Sequence, residues 1–267
     1  MESGIERIAA AFAAADGRAA LMPYLMGGFP SVEASVAIGL SCADNGADLV
    51  ELGVPFSDPL ADGPVIHAAG TRALKAGVTL RDVIGVASRL SERLPVVLMC
   101  YANLVFARGL ERFAEDLASG GASGLIVPDL PLEEGDAVRD ACDAARIALV
   151  PLIAPTTPAD RVAAIVGRAR GFVYAVSVTG TTGERAAVHG SLTETLAHAK
   201  AHSPVPMAVG FGISTPEQAA QAAASGADGV IIGSRLVRAA AEASDAGGDP
   251  AGAVGDLVAA LADGLRR

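Results

Sequence analysis

Tryptophan is absent from the 267 residues, and phenylalanine and tyrosine bring the aromatic content to only 4%. A chain that is nonetheless 51% hydrophobic must build its core from Ala, Val, Leu and Ile, which suits a parallel sheet covered by helices. Cysteine is equally scarce: Cys42, Cys100 and Cys142 lie far apart, with neither CxxC nor Cys/His ligand spacing, so no zinc site and no disulfide framework is predicted. Basic residues number 20 against 30 acids, giving a net charge of -10, and this shortage argues against nucleic acid as a partner. No stretch approaches the roughly 18 unbroken apolar residues of a membrane span, and the first twenty residues lack a basic segment followed by an apolar run. The expectation is a cytoplasmic protein. The four histidines, His67, His189, His198 and His202, share no consistent partner spacing and are read as surface or supporting residues.

What the chain does contain is repetition. Short apolar runs recur at 22–26, 49–54, 96–101, 124–127, 148–153, 172–178, 207–209 and 229–232, each ending in Gly, Pro or polar residues. Amphipathic stretches at 31–45, 79–93, 110–119, 132–145, 158–169 and 216–225 separate them and predict helices. Ser31, Thr157 and Thr215 stand where helix N-caps are expected, the last two directly before a proline. A small residue followed by Gly-Ala-Asp or Gly-Ala-Ser precedes a strand at Gly46-Ala47-Asp48, Gly121-Ala122-Ser123 and Gly226-Ala227-Asp228. Eight such units predict a single α/β domain over 1–267, a (β/α)8 TIM barrel, which buries every strand and leaves no sheet edge. An open doubly wound sheet is the rival, disfavoured because no GxGxxG follows the first strand. The Ala/Gly/Asp-rich tail at 244–255 predicts a flexible turn before a last helix at 257–265.

Against this apolar background, one carboxylate is out of place. Glu51 lies between Val50 and Leu52 in a strand-like run, and a buried charge is costly unless it is paired or its pKa shifts. Period-2 alternation puts Val50, Leu52 and Val54 on one face and Leu49, Glu51 and Gly53 on the other. A Pro/Gly/Asp loop follows and ends in a second acid, Asp62. In barrels the working groups project from the C-terminal ends of strands and the loops beyond, which describes Glu51 and Asp62 respectively. Desolvation should raise the pKa of Glu51 and let it give and take a proton near neutrality, while Asp62 on its loop stays ionised. Asp58, placed before Pro59, is read as a turn or partner-contact residue, and Asp129 as a supporting one.

A different chemistry gathers in the C-terminal half. Gly180-Thr181-Thr182-Gly183, Gly210-Phe211-Gly212-Ile213-Ser214 and Gly233-Ser234 follow three consecutive strand-like runs. Glycine lets backbone N–H groups approach an anion, and a helix N-terminus adds a positive end, so these loops predict a phosphate cradle that needs no Lys or Arg.

Residues 51–64 (ELGVPFSDPLADGP), together with MCYANLVF at 99–106, LIVPDLP at 125–131, the segment 174–183 and GFGISTPEQ at 210–218, resemble the tryptophan synthase alpha subunit family in order and spacing over about 5–237. The resemblance implies a carbon-carbon lyase that splits indole-3-glycerol phosphate into indole and glyceraldehyde 3-phosphate by a reverse aldol reaction. The family's catalytic pair falls on Glu51 and Asp62. Its indole slot falls on Tyr24, Met99, Tyr101, Ile126 and Tyr174, of which Met99 and Ile126 are equally readable as core. Its phosphate site falls on Gly183, Gly212, Gly233 and Ser234, and Thr182 opens a lid beside the substrate. The implied partner is the beta subunit, in an alpha2beta2 heterotetramer, which receives indole through a tunnel and carries the pyridoxal phosphate. No cofactor is expected on the present chain. Pro55, Phe56, Ser57 and Asp58 fall in the partner-facing loop. One departure is the loop Met26-Gly27-Gly28-Phe29-Pro30, which lacks a carboxylate that many relatives carry. The rival readings are a sugar-phosphate isomerase, which keeps the glycine loops without needing Glu51, a partner-activating subunit without catalysis of its own, and a lyase that works alone.

Overall fold

Pro151 splits the fifth of the predicted strands. The computed structural model describes residues 2–176, 185–210 and 212–266, with side chains throughout except at 185–192. In it the strands are β1 (Ala20–Met26), β2 (Val50–Gly53), β3 (Val96–Met99), β4 (Gly124–Ile126), β5 (Ala148–Val150), β6 (Leu152–Ile153), β7 (Val173–Val176), β8 (Met207–Gly210) and β9 (Gly229–Ile232). They lie side by side in the order β5-β4-β3-β2-β1-β9-β8-β7-β6, and every pairing is parallel. The ends of that order, β5 and β6, are the two halves of one segment. Proline has no N–H for a ladder, so the strand breaks there, yet the Pro151 carbonyl still accepts the Tyr174 N–H at 2.9 Å. Eight predicted strands thus stand as nine around a nearly closed TIM barrel.

The helices are α1 (Gly4–Ala14), α2 (Val32–Asp44), α3 (Pro64–Lys75), α4 (Leu80–Leu90), α5 (Ala102–Arg108), α6 (Leu110–Ser119), α7 (Asp136–Ala144), α8 (Ala159–Val166), α9 (Arg185–Lys200), α10 (Pro216–Ala224), α11 (Ser234–Asp245) and α12 (Pro250–Leu265). Among the described residues, no helix is long and apolar enough to cross a membrane. Ser31 caps α2 by accepting the Ala34 N–H, and Thr215 and Gln218 form a reciprocal cap on α10. Thr157 departs from its expected capping role: its hydroxyl turns back to accept the Ala154 N–H at 3.0 Å, and α8 starts without a side-chain cap. The tail also differs from expectation. Instead of a long flexible turn, α12 begins at Pro250, because Asp249 accepts the Ala251 N–H and proline is pre-set for the first helical position.

Strand alternation sorts the side chains into two layers. Leu25, Leu52, Leu98, Leu125 and Leu149 sit in register across five neighbouring strands and form an apolar belt under the helices. The opposite face of the same strands carries the register Tyr24, Glu51, Val97, Gly124 and Ala148 into the barrel. Small residues dominate this inner rung, leaving room around Glu51. At the other end of the barrel, the Gly-Ala-Asp repeats have a structural use. Asp48 accepts the Leu21 N–H at 2.7 Å and holds Arg18, while Asp228 accepts the Met207 N–H at 2.8 Å and holds Lys200. Each aspartate ties its own strand to the start of a neighbouring one.

Candidate active site

Glu51 projects from the middle of β2 into the barrel and is only 1% exposed. Burial is the main cause that lifts its carboxyl to about pKa 8, and the nearby Asp62 charge adds to the rise. Its Oε2 has no hydrogen-bond partner among the described residues. A buried acid left unpartnered is an unfavourable choice for packing alone, and it is poised to exchange a proton.

Asp62 sits on the loop between β2 and α3, half-buried. Burial raises its pKa, opposed by a hydrogen bond with the Tyr101 hydroxyl and by the nearby His67. The Tyr101 phenol, pushed up to about 12 mainly by burial, also accepts the Ala61 N–H at 3.0 Å. One tyrosine therefore pins two successive residues of the acid-bearing loop. Its ring in turn stacks on Phe56, with centroids 5.1 Å apart. Asp129 accepts the Ala102 N–H at 2.9 Å, at the start of α5, and so fixes the chain just beyond Tyr101.

Two tyrosines shape the space in front of Glu51. Tyr24, its neighbour across the β1/β2 pairing, lays its hydroxyl over Gly53, where an added Cβ would stand 2.0 Å from the oxygen. Tyr174 lies over Gly210 in the same manner, at 2.1 Å. Both phenols are held well above the ordinary tyrosine pKa, by burial first and by nearby acid charge second, so both stay neutral. Glycine at these two inner positions is what lets the rings lie flat against the barrel wall.

Tyr24, Glu51, Asp62, Met99, Tyr174, Gly212, Gly233 and Ser234 all line one cavity of about 350 Å³ at the C-terminal ends of the strands. Gly212 adopts φ +75, which favours glycine, and Gly233 precedes the first turn of α11. Tyr101 and Ile126 are not among the lining residues: Tyr101 works through the Asp62 loop, and Ile126 is fully buried beside Met99 in β4. Thr182 and Gly183 lie outside the described residues. On the β2–α3 loop Pro55 is buried and Phe56 half-buried, while Ser57 and Asp58 are exposed and bonded to each other.

Sequence reasoning passed over Ile66, Ile231, Arg235 and Arg238, all of which line the cavity, while Ser214, from one of the predicted glycine loops, lines it too. Ile231 was open to strand alternation, since it pairs with Met22 on the inner face of β9. The arginines lie in the first two turns of α11, where composition gives no signal. A second cleft of about 400 Å³ lies on the flank between the β4–α7 loop and α8. Its charged lining is already paired, Arg161 with Glu133 at 2.6 Å and both Arg139 and Arg168 with Asp136. Of these two cavities, the smaller is therefore the one that holds acids without an ion pair among the described residues.

Comparison with known proteins identifies the family to which this architecture belongs. The family described as "Tryptophan synthase alpha chain" matches residues 11–257. The tryptophan synthase alpha chain of Prochlorococcus marinus (strain MIT 9313) is 49% identical over 234 residues, covering 86% of this chain and 84% of the relative. That of Methanosarcina mazei is 47% identical over 226 residues, covering 85% and 83%. Among solved structures, Mycobacterium tuberculosis tryptophan synthase superposes with a TM-score of 0.88 at 40% identity, over 98% of each chain. The tryptophan synthase subunit alpha of Legionella pneumophila gives a TM-score of 0.88 at 35% identity, over 100% of this chain and 99% of the other.

Proposed function

Since the chain belongs to the tryptophan synthase alpha chain family, its reaction is the cleavage of indole-3-glycerol phosphate to indole and glyceraldehyde 3-phosphate, and we propose that Glu51 and Asp62 carry it out. The observation that supports this most is that a buried, unpartnered glutamate and a loop aspartate open on one cavity.

Breaking the bond from indole C3 to the glycerol carbon requires a proton on C3 and removal of the hydroxyl proton as the aldehyde forms. With its pKa near 8, Glu51 enters the cycle protonated at neutral pH and delivers the first proton. The carboxylate so formed then takes the second. As C3 gains its proton, positive charge develops at the indole nitrogen. Asp62, oriented by Tyr101, meets that N–H as an anion and stabilises the charge in a water-poor site. Each group contributes roughly 10²- to 10⁴-fold, about 3–5 kcal/mol, and orientation of the substrate supplies much of the rest. In this reading Tyr24, Met99 and Tyr174 bound the indole ring, and the backbone at Gly212, Gly233 and Ser234 receives the phosphate at the start of α11.

The partner is a tryptophan synthase beta subunit, and an alpha2beta2 assembly that passes indole between its sites is the arrangement we favour. Two unusual exposures support a partner-facing rim here: Leu60 is 86% exposed and Phe106 52% exposed, both close in sequence to the 55–62 loop and Tyr101. The three cysteines are free and buried, in keeping with action in the cytoplasm.

The test is indole release from indole-3-glycerol phosphate by the chain alone and with a beta subunit, comparing wild type with Glu51→Gln and Asp62→Asn. Each variant should lose at least about 10²-fold in kcat. Retained turnover in both would overturn the assignment.

A further inference from the structure

Among the described residues, the charged ones lining the cavity are Glu51, Asp62, Arg235 and Arg238. They are segregated: the acids belong to β2 and the loop after it, the cations to α11. Arg235 and Arg238 are three residues apart, so they share one face of that helix. Neither makes an ion pair or hydrogen bond with any described residue, whereas Arg18, Arg72, Arg93, Arg139, Arg161 and Arg168 are all paired with acids. Arg235 also stands in the first turn of α11, where the helix dipole disfavours a cation and no acidic residue accompanies it. Two unneutralised guanidinium groups lining one cavity, Arg235 half-buried and Arg238 exposed, in a chain of net charge -10, are arranged for an anion that arrives from outside.

We infer that Arg235 and Arg238 are substrate-positioning residues that grip the phosphate of the substrate from the α11 side, adding side-chain charge to the backbone N–H groups at Gly233 and Ser234. The assignment rests on the lyase reading above and deepens it. Guanidinium groups suit the role because they remain charged at all working pH values and present several donors to phosphate oxygens. Carried by α11 and not by the acid-bearing β2 or its loop, they bind ground state and transition state alike, so their contribution appears in KM and not in kcat.

The experiment is the condensation direction, with indole and glyceraldehyde 3-phosphate varied separately for wild type, Arg235→Gln, Arg238→Gln, Arg238→Lys and the double glutamine variant. In the double variant, KM for glyceraldehyde 3-phosphate should rise about 10- to 100-fold, with KM for indole and kcat within about twofold of wild type. Raising salt to about 0.5 M should shrink the difference, and Arg238→Lys should retain most of the affinity of wild type. A merely structural role would move both KM values together. That outcome, or no change in either, overturns the assignment. Should the wild type neither form nor cleave indole-3-glycerol phosphate, the lyase reading falls on its own. The arginines are then judged by calorimetric binding of glycerol 3-phosphate, where equal affinity in wild type and double variant overturns them.

Discussion

Replacing Glu51 with glutamine removes one titrating group from the barrel interior with little change in shape, and this makes its burial measurable as stability. The carboxyl titrates near 4.5 in the unfolded chain and near 8 in the folded one. Between those values the native state holds a proton that the unfolded state has released, so stability is greatest below about pH 4.5 and falls as pH rises toward 8. At about 1.36 kcal/mol per pKa unit, the whole window is worth at most about 5 kcal/mol, and the interval from pH 5 to pH 8 about 3.5 kcal/mol. Glu51→Gln carries no such dependence. Urea unfolding of both proteins at pH 5 and pH 8 isolates the term, because every other titrating group is shared between them. Near pH 5 the two should differ by less than about 1 kcal/mol. At pH 8 the variant should be more stable by about 3 kcal/mol, with an unchanged m-value. A difference that stays constant across this range would show that Glu51 titrates as an ordinary carboxyl and would remove the basis for its double use as acid and base.

Other substitutions probe the supports around it. The rate of indole release should fall above about pH 8 as Glu51 loses its proton, and Asp62→Asn should move that limb to lower pH, since the Asp62 charge contributes to the rise; a pH profile with an unmoved limb refutes the coupling. Gly53→Ala drives a methyl group into the Tyr24 hydroxyl and should cost about 1–3 kcal/mol in urea unfolding, and a loss under 0.5 kcal/mol would mean the ring moves aside freely. Tyr101→Phe removes the acceptor for the Ala61 N–H and the hydrogen bond to Asp62, and should lower kcat about tenfold or more while costing only about 1 kcal/mol of stability. Asp228→Ala, at the far end of the barrel, should do the reverse: a loss of about 1–3 kcal/mol with kcat unchanged.

The strands were readable because a barrel wall buried on both faces needs apolar runs of nearly fixed length, and each run ended in residues that cannot extend a strand. Even the Gly-Ala-Asp punctuation was visible as a pattern, but its cause was not: the carboxylates of Asp48 and Asp228 reach the backbone of strands 27 and 21 residues earlier in the chain. The break at Pro151 fell inside an otherwise unbroken apolar run, where composition dominates the reading and one missing donor is easily overlooked. The start of α12 was missed for the opposite reason. Ala and Gly around Asp249-Pro250 looked like a loop by composition, while the capping chemistry of those two residues already specified a helix.

Within the site, legibility followed burial cost. Glu51 was conspicuous because a charge in an apolar strand demands an explanation, and period-2 alternation already gave its direction. Arg235 and Arg238 offered no such contrast, since arginine on an amphipathic helix is ordinary and only the fold shows that α11 begins at the cavity. Tyr101 was assigned to the indole slot by the family resemblance. Its ring stacks on Phe56 and its hydroxyl holds the loop that carries Asp62, contacts across about 40 residues of sequence that no local pattern encodes. A sequence thus exposes the groups that violate the local rules. It conceals those whose chemistry is ordinary and whose significance comes from what the fold sets opposite them. In this cavity the two kinds meet: an unpartnered acid on β2 and unpaired cations on α11 line one space.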